Sequence, residues 1–314
     1  MIKFHDYWLQ RNYADGILTW KLNLTPEQIK SIDINSIYEY SIEAVTSLLP
    51  DLGDNPAICF SGGIDSQVML ECFLRAGVDV TIVIMRFSSG LNDRDIKTAV
   101  EYCERRQLNY RFLDLNVTNF LERELPSFSD RYDVSSPQFA THFKMFEILK
   151  DSGFSSAIAA GNPVSKSLKK WYLPTKEASD WIKFSDDIQW NIIGDFLLHN
   201  WRFSLLLGCL YEESGEMPSG FQAIRDKVYK FKTISYRSAD FDIIPQETKF
   251  TGFEQVKEYY HKSTGDGWSF EKRFRFPLQI KNGSTEKIVL DASDDQLSAL
   301  ESLYDRCANL RNLV

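Results

Sequence analysis

The sequence predicts an α/β fold, a doubly wound and mostly parallel sheet with a helical and mixed α+β part at the carboxyl end. Three observations predict it. Short apolar runs at residues 57–60, 78–87, 110–115 and 156–160 alternate with stretches of helical spacing, the pattern of parallel strands joined by right-handed crossovers. The first run (Ala57, Ile58, Cys59, Phe60) breaks at Gly62 and Gly63, and helical spacing resumes through Val68, Met69, Cys72 and Phe73. A glycine loop therefore sits at the carboxyl end of a strand. Finally, 314 residues at 43% hydrophobic and 25% charged are ordinary globular values, enough for one large α/β domain and a smaller one.

Residues 1–50 read as a hairpin and helical segment. Aromatic-rich pieces flank Asp15-Gly16, a hairpin signal, and Thr25-Pro26-Glu27-Gln28 starts a helix by the N-cap and first-turn proline rules. A second helix, 37–49, carries Ile37, Tyr40, Ile42, Val45 and Leu48 toward a core.

Residues 51–215 form the main domain. After the glycine loop come a strand at 78–87, a helix at 93–107, a strand at 110–115, helices through 124 and over 137–150, and a strand at 156–160. That strand ends in a second glycine loop, Gly161-Asn162-Pro163-Val164-Ser165-Lys166-Ser167. The apolar stretch Ile192 to Tyr211 is interrupted by Asp195, His199, Asn200 and Arg202, and reads as one buried helix rather than a membrane span.

Residues 216–314 read as a mixed region for substrate or partner binding. A break at Met217-Pro218-Ser219-Gly220 precedes short β-like runs and a helix beginning at Phe253, and a further helix covers 294–313. Between the two lies a basic-aromatic strand with Arg273 and Arg275 on one face, either an acidic-ligand surface or an ordinary exposed strand.

The first loop carries the chemistry. Gly62 and Gly63 let the backbone approach a ligand without a Cβ in the way, and Ser61 and Ser66 add hydroxyl donors. A helix beginning near Asp65 points its unpaired N–H groups and positive dipole end at the same spot, which favours phosphate. A carboxylate there repels phosphate unless a cation lies between them. Asp65 is therefore read as a Mg²⁺ ligand that also touches the pyrophosphate side of a nucleotide.

Ser61-Gly62-Gly63-Ile64-Asp65-Ser66 resembles the S-G-G-x-D-S loop of the PP-loop ATP pyrophosphatases, the adenine nucleotide α-hydrolase-like family. The resemblance implies a Rossmann-like sheet, ATP and Mg²⁺ as cofactors, and adenylation of a carboxylate or carbonyl oxygen with release of pyrophosphate and then AMP. It assigns Phe60, Ser61, Gly62, Gly63, Ile64, Asp65, Ser66, Met85 and Gly161 to nucleotide binding, with Asp65 also catalytic and metal-binding. Adenine would lie against Ile84-Met85-Arg86-Phe87, with Phe60 as a second wall; plain core packing is the other reading of both.

In layout the chain is similar to the synthetase domain of asparagine synthetases. In that branch the second glycine loop carries acids where Asn162 and Ser165 stand here, so Asp180, Asp186 or Asp187 are candidate replacements. The nucleophilic cysteine of the glutaminase part is matched by Ile2, so no glutaminase is expected. Lys166 is assigned catalytically to the charge that grows on pyrophosphate; the alternative is a solvated basic run with Lys169 and Lys170. The second loop is not a Walker A loop, since it lacks the glycine before the lysine and Pro163 removes an N–H.

The five cysteines lie far apart with no C-x-x-C pair, which points to a reducing, cytoplasmic setting, as does the absence of a signal-peptide pattern at the start. His142, His199 and His261 stand alone and are given no catalytic role. The expected partner is a small molecule bearing a carboxylate or carbonyl, attacked by an amine or ammonia. A formal net charge of −8 does not favour nucleic acid, although a base-modifying enzyme and a nucleotide-binding module without turnover remain open. No membrane association is expected, and nothing in the pattern fixes the oligomeric state.

Overall fold

The computed structural model describes residues 8–14, 17–132, 134, 136–167, 170–173, 177–210, 221–246, 252–264, 274 and 288–311. Among these the strands are β1 (Leu9–Ala14), β2 (Ile17–Leu22), β3 (Pro56–Cys59), β4 (Thr81–Phe87), β5 (Tyr110–Leu115), β6 (Ser156–Ile158), β7 (Ser165–Ser167), β8 (Lys170–Leu173), β9 (Asn191–Ile193) and β10 (Ile288–Asp291). The main sheet has five strands in the order β5-β4-β3-β6-β9, all parallel. Successive strands first step one way from β3 and then return to its other side. The carboxyl ends of β3 and β6 therefore diverge at a topological switch point, where open sheets of this kind leave a crevice.

Residues alternate across that sheet as a strand period of two requires. Ile58, Ile82 and Ile84 face a core packed by helices Ile37–Thr46, Ile64–Ala76 and Asp93–Arg105. Ala57 and Val83 face the opposite core, where helices Pro137–Asp151 and Glu177–Ile188 supply Phe143, Phe146, Trp181 and Phe184. The sheet is thus doubly wound, with apolar strands buried on both faces.

One apolar stretch folds differently from its sequence reading. Ile192 to Tyr211 is not a single helix: β9 takes Ile192 and Ile193, a 3₁₀ turn spans Phe196–Leu198, and the helix begins only at Trp201. Gly194 and the left-handed Asp195 (φ 48°) break the stretch, and two β-branched residues before the break fit the last strand of a parallel sheet. The carboxyl-terminal helix is likewise interrupted, ending at Arg306 before a short turn of helix at Ala308–Arg311. Residues 221–238, in a stretch expected to mix strands and helices, form one helix. The break at 217–220, Lys169, and Arg273 with Arg275 lie outside the described residues.

A second sheet, β1-β2-β10-β8-β7, draws on both ends of the chain and its middle. The expected hairpin is there, with Leu9 opposite Leu22, and β10 runs parallel to β2. Thr25 caps the first helix in a capping box with Gln28. Ser293 and Gln296 form another, and the Gln296 amide also donates to the carbonyls of Leu22 and Leu24, at 3.0 and 2.7 Å, stitching the last helix to the first hairpin. Gln296→Ala should therefore cost about 2 kcal/mol, more than a cap alone at about 1 kcal/mol. A urea midpoint unchanged from wild type would contradict that stitch.

Candidate functional site

β3 ends at Cys59 and the motif helix begins at Ile64, so Ser61, Gly62 and Gly63 form the loop between them. Gly63 is the N-cap and, having no side chain, cannot itself cap the first-turn N–H groups, which point toward the loop as those of a helix N-terminus do. Ser66 donates to the Gly63 carbonyl at 2.8 Å and lies 3.2 Å from the Ser61 hydroxyl, which fixes the loop's shape. Underneath, the Gln67 amide donates to the Gly62 carbonyl at 2.7 Å and to the Ile244 carbonyl at 2.8 Å, while the Ile244 N–H donates back at 2.7 Å. The loop is thereby tied to the segment that follows helix Phe221–Ser238.

That helix brings the cation. Lys232 Nζ donates to both carboxylate oxygens of Asp65 at 3.0 Å and to Asn162 Oδ1 at 2.7 Å, and the Tyr236 hydroxyl also donates to Asp65. Asp65 and Lys232 are both nearly buried, at 13% and 11% side-chain exposure, so their attraction is only weakly screened by water. The cation required beside Asp65 is therefore a lysine. Both Asp65 oxygens are engaged by it, and among the described residues no group of three or more His, Cys, Asp or Glu is placed to hold a metal. The carboxylate is thus paired with a lysine, and no all-protein cage for a cation surrounds it among those residues; Mg²⁺, which takes one or two carboxylates together with substrate phosphates, would meet Asp65 only along with a nucleotide.

A cavity of about 360 Å³ opens on the loop. Of the residues predicted from sequence, Phe60, Ser61, Gly63, Asp65, Ser66, Met85 and Gly161 line it. Gly62 does not, but shapes the loop from behind. Ile64 is fully buried in the core beneath, so its side chain takes no part. Phe60 packs against Tyr102 with ring centroids 5.4 Å apart. At the end of β4, Asn92 accepts from the Phe87 N–H at 2.7 Å and donates to the Met85 carbonyl at 2.9 Å, so those backbone groups are satisfied from within the chain.

Lys166 is placed elsewhere. It lies on β7 in the second sheet, 3.0 Å from Glu301 and 3.4 Å above the Tyr304 ring, and is outside the cavity lining. After Gly161 the chain passes through residues 162–164 into β7 of the second sheet, whose pairing with β8 goes with a Lys166 side chain that meets helix Asp294–Arg306. Of the acids, Asp186 and Asp187 are exposed on the surface, whereas Asp195 is 3% exposed and lines the cavity. Gly161 (φ 67°) exists for Asp195: a Cβ there would sit 2.4 Å from the Asp195 Cα.

Sequence reasoning missed Lys232 and Tyr236, and it gave no site role to Asp195 and His142, which line the cavity. The first two share one helical face with Tyr229 and Thr233, spacing that was legible had 221–238 been read as a helix. Burial pushes the imidazoles of His142 and His199 down from 6.5 to about 4. The folded state thus refuses protons that the unfolded chain takes up. The stability this neutrality contributes is whole above pH 6.5 and drains away as pH falls to 4. Urea midpoints should fall across that window, and less steeply in His142→Gln/His199→Gln; equal slopes would refute the burial argument.

The sequence matches no family model and no curated relative. Among solved structures, the chain is similar to the NMN synthetase from Francisella tularensis, with 14% identity over 93% of this chain and 98% of that one, at a TM-score of 0.34. The NH3-dependent NAD synthetase from Campylobacter jejuni gives 15% identity over 90% and 98%, at 0.34. A predicted subunit of a tRNA methyltransferase from Methanocaldococcus jannaschii gives 14% over 62% and 94%, also at 0.34. At such scores the function must be argued from this chain's own residues. No helix among the described residues is long and apolar enough to cross a membrane.

Proposed function

We propose that the chain is an ATP-dependent adenylating ligase. The triphosphate lies in the loop from Ser61 to Ser66, against the helix N-terminus, with adenosine between Phe60, Met85 and Gly161. An acceptor carboxylate or carbonyl oxygen attacks the α-phosphorus, the bond to the bridging oxygen breaks, and pyrophosphate leaves. Attack by an amine or ammonia on the adenylate then releases AMP. Lys232 takes the role first given to Lys166, holding the charge that grows on pyrophosphate, and Mg²⁺ comes with the nucleotide rather than from a resident site.

The observation that carries this reading is the pairing of an uncapped S-G-G-x-D-S loop at the switch point with a nearly buried lysine on its aspartate. Asn162, standing where an acid was expected, is the lysine's third acceptor, and a neutral acceptor there leaves more of the ammonium's charge for phosphate. The test is incubation with α-labelled ATP and Mg²⁺, wild type against Asp65→Ala, with added ammonia, amino acids, carboxylic acids or bulk RNA. AMP and pyrophosphate from wild type alone support the ligase. Stimulation by RNA alone would favour base modification, ATP binding without AMP a binding module, and ADP would refute the assignment.

A further inference from the structure

Helix Phe221–Ser238 is held to the motif loop in two ways. The first is charge: Lys232 and the Tyr236 hydroxyl reach Asp65. The second runs through backbone. At the left-handed Asp240 (φ 59°) the chain turns out of the helix, and residues 239–246 form a strap fastened at both ends of the motif helix Ile64–Ala76. In the last turn of that helix Arg75 donates to the Asp240 carbonyl and stands 4.1 Å over the Phe241 ring. In the first turn the fully buried Gln67 donates to the Ile244 carbonyl at 2.8 Å and accepts from its N–H at 2.7 Å, while its amide also holds the Gly62 carbonyl. Two residues on, the Gln246 N–H donates to the Tyr229 hydroxyl at 2.7 Å, which returns the strap to the helical face that carries Lys232. A continuous path thus leads from Gly62 through Gln67, the strap and Tyr229 to the helix of the lysine.

The two attachments respond differently to a nucleotide. A triphosphate competes with Asp65 for the Lys232 ammonium, so the charge contact slackens when the lysine is needed. The path through the strap uses only neutral groups between Gly62 and Tyr229, and phosphate does not compete for them. Burial pushes the Tyr229 hydroxyl up to about 12, so it remains a neutral acceptor. We propose that Gln67 and Tyr229 are positioning residues, which hold Lys232 at the motif loop through the strap once phosphate has drawn its ammonium from Asp65. The inference rests on the ligase reading and deepens it. Neither residue lines the cavity, so both act through the lysine rather than on substrate. A misplacement of about 1 Å can cost roughly 100-fold in rate, which makes such a hold matter. Ser235 anchors the same helix to the Leu210 carbonyl at 2.7 Å, so loss of the strap shifts the helix without releasing it.

Tyr229→Phe deletes one oxygen and leaves the loop and Gln67 in place, so it isolates the strap. With the full chain and the acceptor that stimulates wild type, kcat for AMP release should fall by roughly tenfold, while α,β-methylene-ATP binds within about twofold of wild type by calorimetry. In a Lys232→Met background the same change should leave the residual rate within about twofold, because the group it positions is gone. Gln67→Met cuts the path at the loop and also frees the Gly62 carbonyl, so it should lower both kcat and nucleotide affinity. A wild-type kcat in either variant, a loss of nucleotide binding in Tyr229→Phe equal to its loss of kcat, or a full tenfold loss in the Lys232→Met background would each overturn the proposal. If wild type releases no AMP, the ligase reading falls by itself. The strap is then read from reductive methylation of Lys232 by formaldehyde and cyanoborohydride, followed by peptide mass spectrometry. At 11% side-chain exposure Lys232 is shielded, and it should react at least roughly tenfold faster in Tyr229→Phe; an unchanged rate would end the proposal.

Discussion

Replacing Lys232 with methionine is expected to lower AMP formation by roughly 100- to 1,000-fold, the cost of removing one preorganised positive charge from a site where negative charge develops. The same change strands a nearly buried carboxylate. Asp65 would lose its cation while keeping the Tyr236 hydroxyl, and breaking such a pair from one side costs about 3 kcal/mol, the lower end of the range because Asp65 retains some exposure. These effects separate in the double variant Asp65→Asn/Lys232→Met. Removing both charges should return most of the stability, since a buried ion pair adds little net to folding, but none of the activity. Steady-state AMP release and urea unfolding on the three variants decide the matter. Full activity in Lys232→Met would remove the lysine from the chemistry; a double variant as unstable as the single would mean that packing, not charge, ties helix Phe221–Ser238 to the loop.

Gly62→Ala is expected to unfold the loop's geometry altogether. Its φ of 74° is a left-handed conformation that costs an alanine about 1–2 kcal/mol. A Cβ would also stand 2.5 Å from the Ala99 nitrogen and 2.8 Å from the Ala99 Cα, forcing helix Asp93–Arg105 away from the motif loop. Overpacking of that kind adds about 1–3 kcal/mol, for a total near 3 kcal/mol. Because the nearest atoms are backbone, Ala99→Gly should not rescue the variant, whereas a side-chain clash would be relieved. Binding of α,β-methylene-ATP should fall by at least roughly tenfold, because the Gly62 carbonyl held by Gln67 fixes the turn that presents the helix N-terminus. Wild-type affinity and melting temperature in Gly62→Ala would show that the loop tolerates a different path.

Both predictions fall on a loop that could be read directly, and on partners that could not. Strand, glycine turn and helix are adjacent in the chain, so apolar runs and glycines reveal them without any knowledge of the fold, and alternation of the runs predicts a parallel sheet. The stretch Ile192 to Tyr211 marks the limit of that reading. A continuous apolar run reports burial but not period, and whether it is strand, helix or both depends on which neighbours cover it; here β6 was waiting for a partner at β9.

By itself, then, the sequence determined the α/β alternation, the glycine loop at Ser61–Ser66 that opens a helix and the need for a cation beside Asp65, because each follows from local backbone preference and local charge. Only the tertiary structure decided that the cation is Lys232, 167 residues away, that Asp195 lines the cavity while Asp186 and Asp187 stay on the surface, and that Lys166 lies in the second sheet with Glu301 and Tyr304. The physical reason is the same in each case. A side chain on an amphipathic helix or a short strand can meet any of several surfaces, and its actual partner is set by how the element is rotated and docked, which is a sum of packing contacts spread over the whole chain.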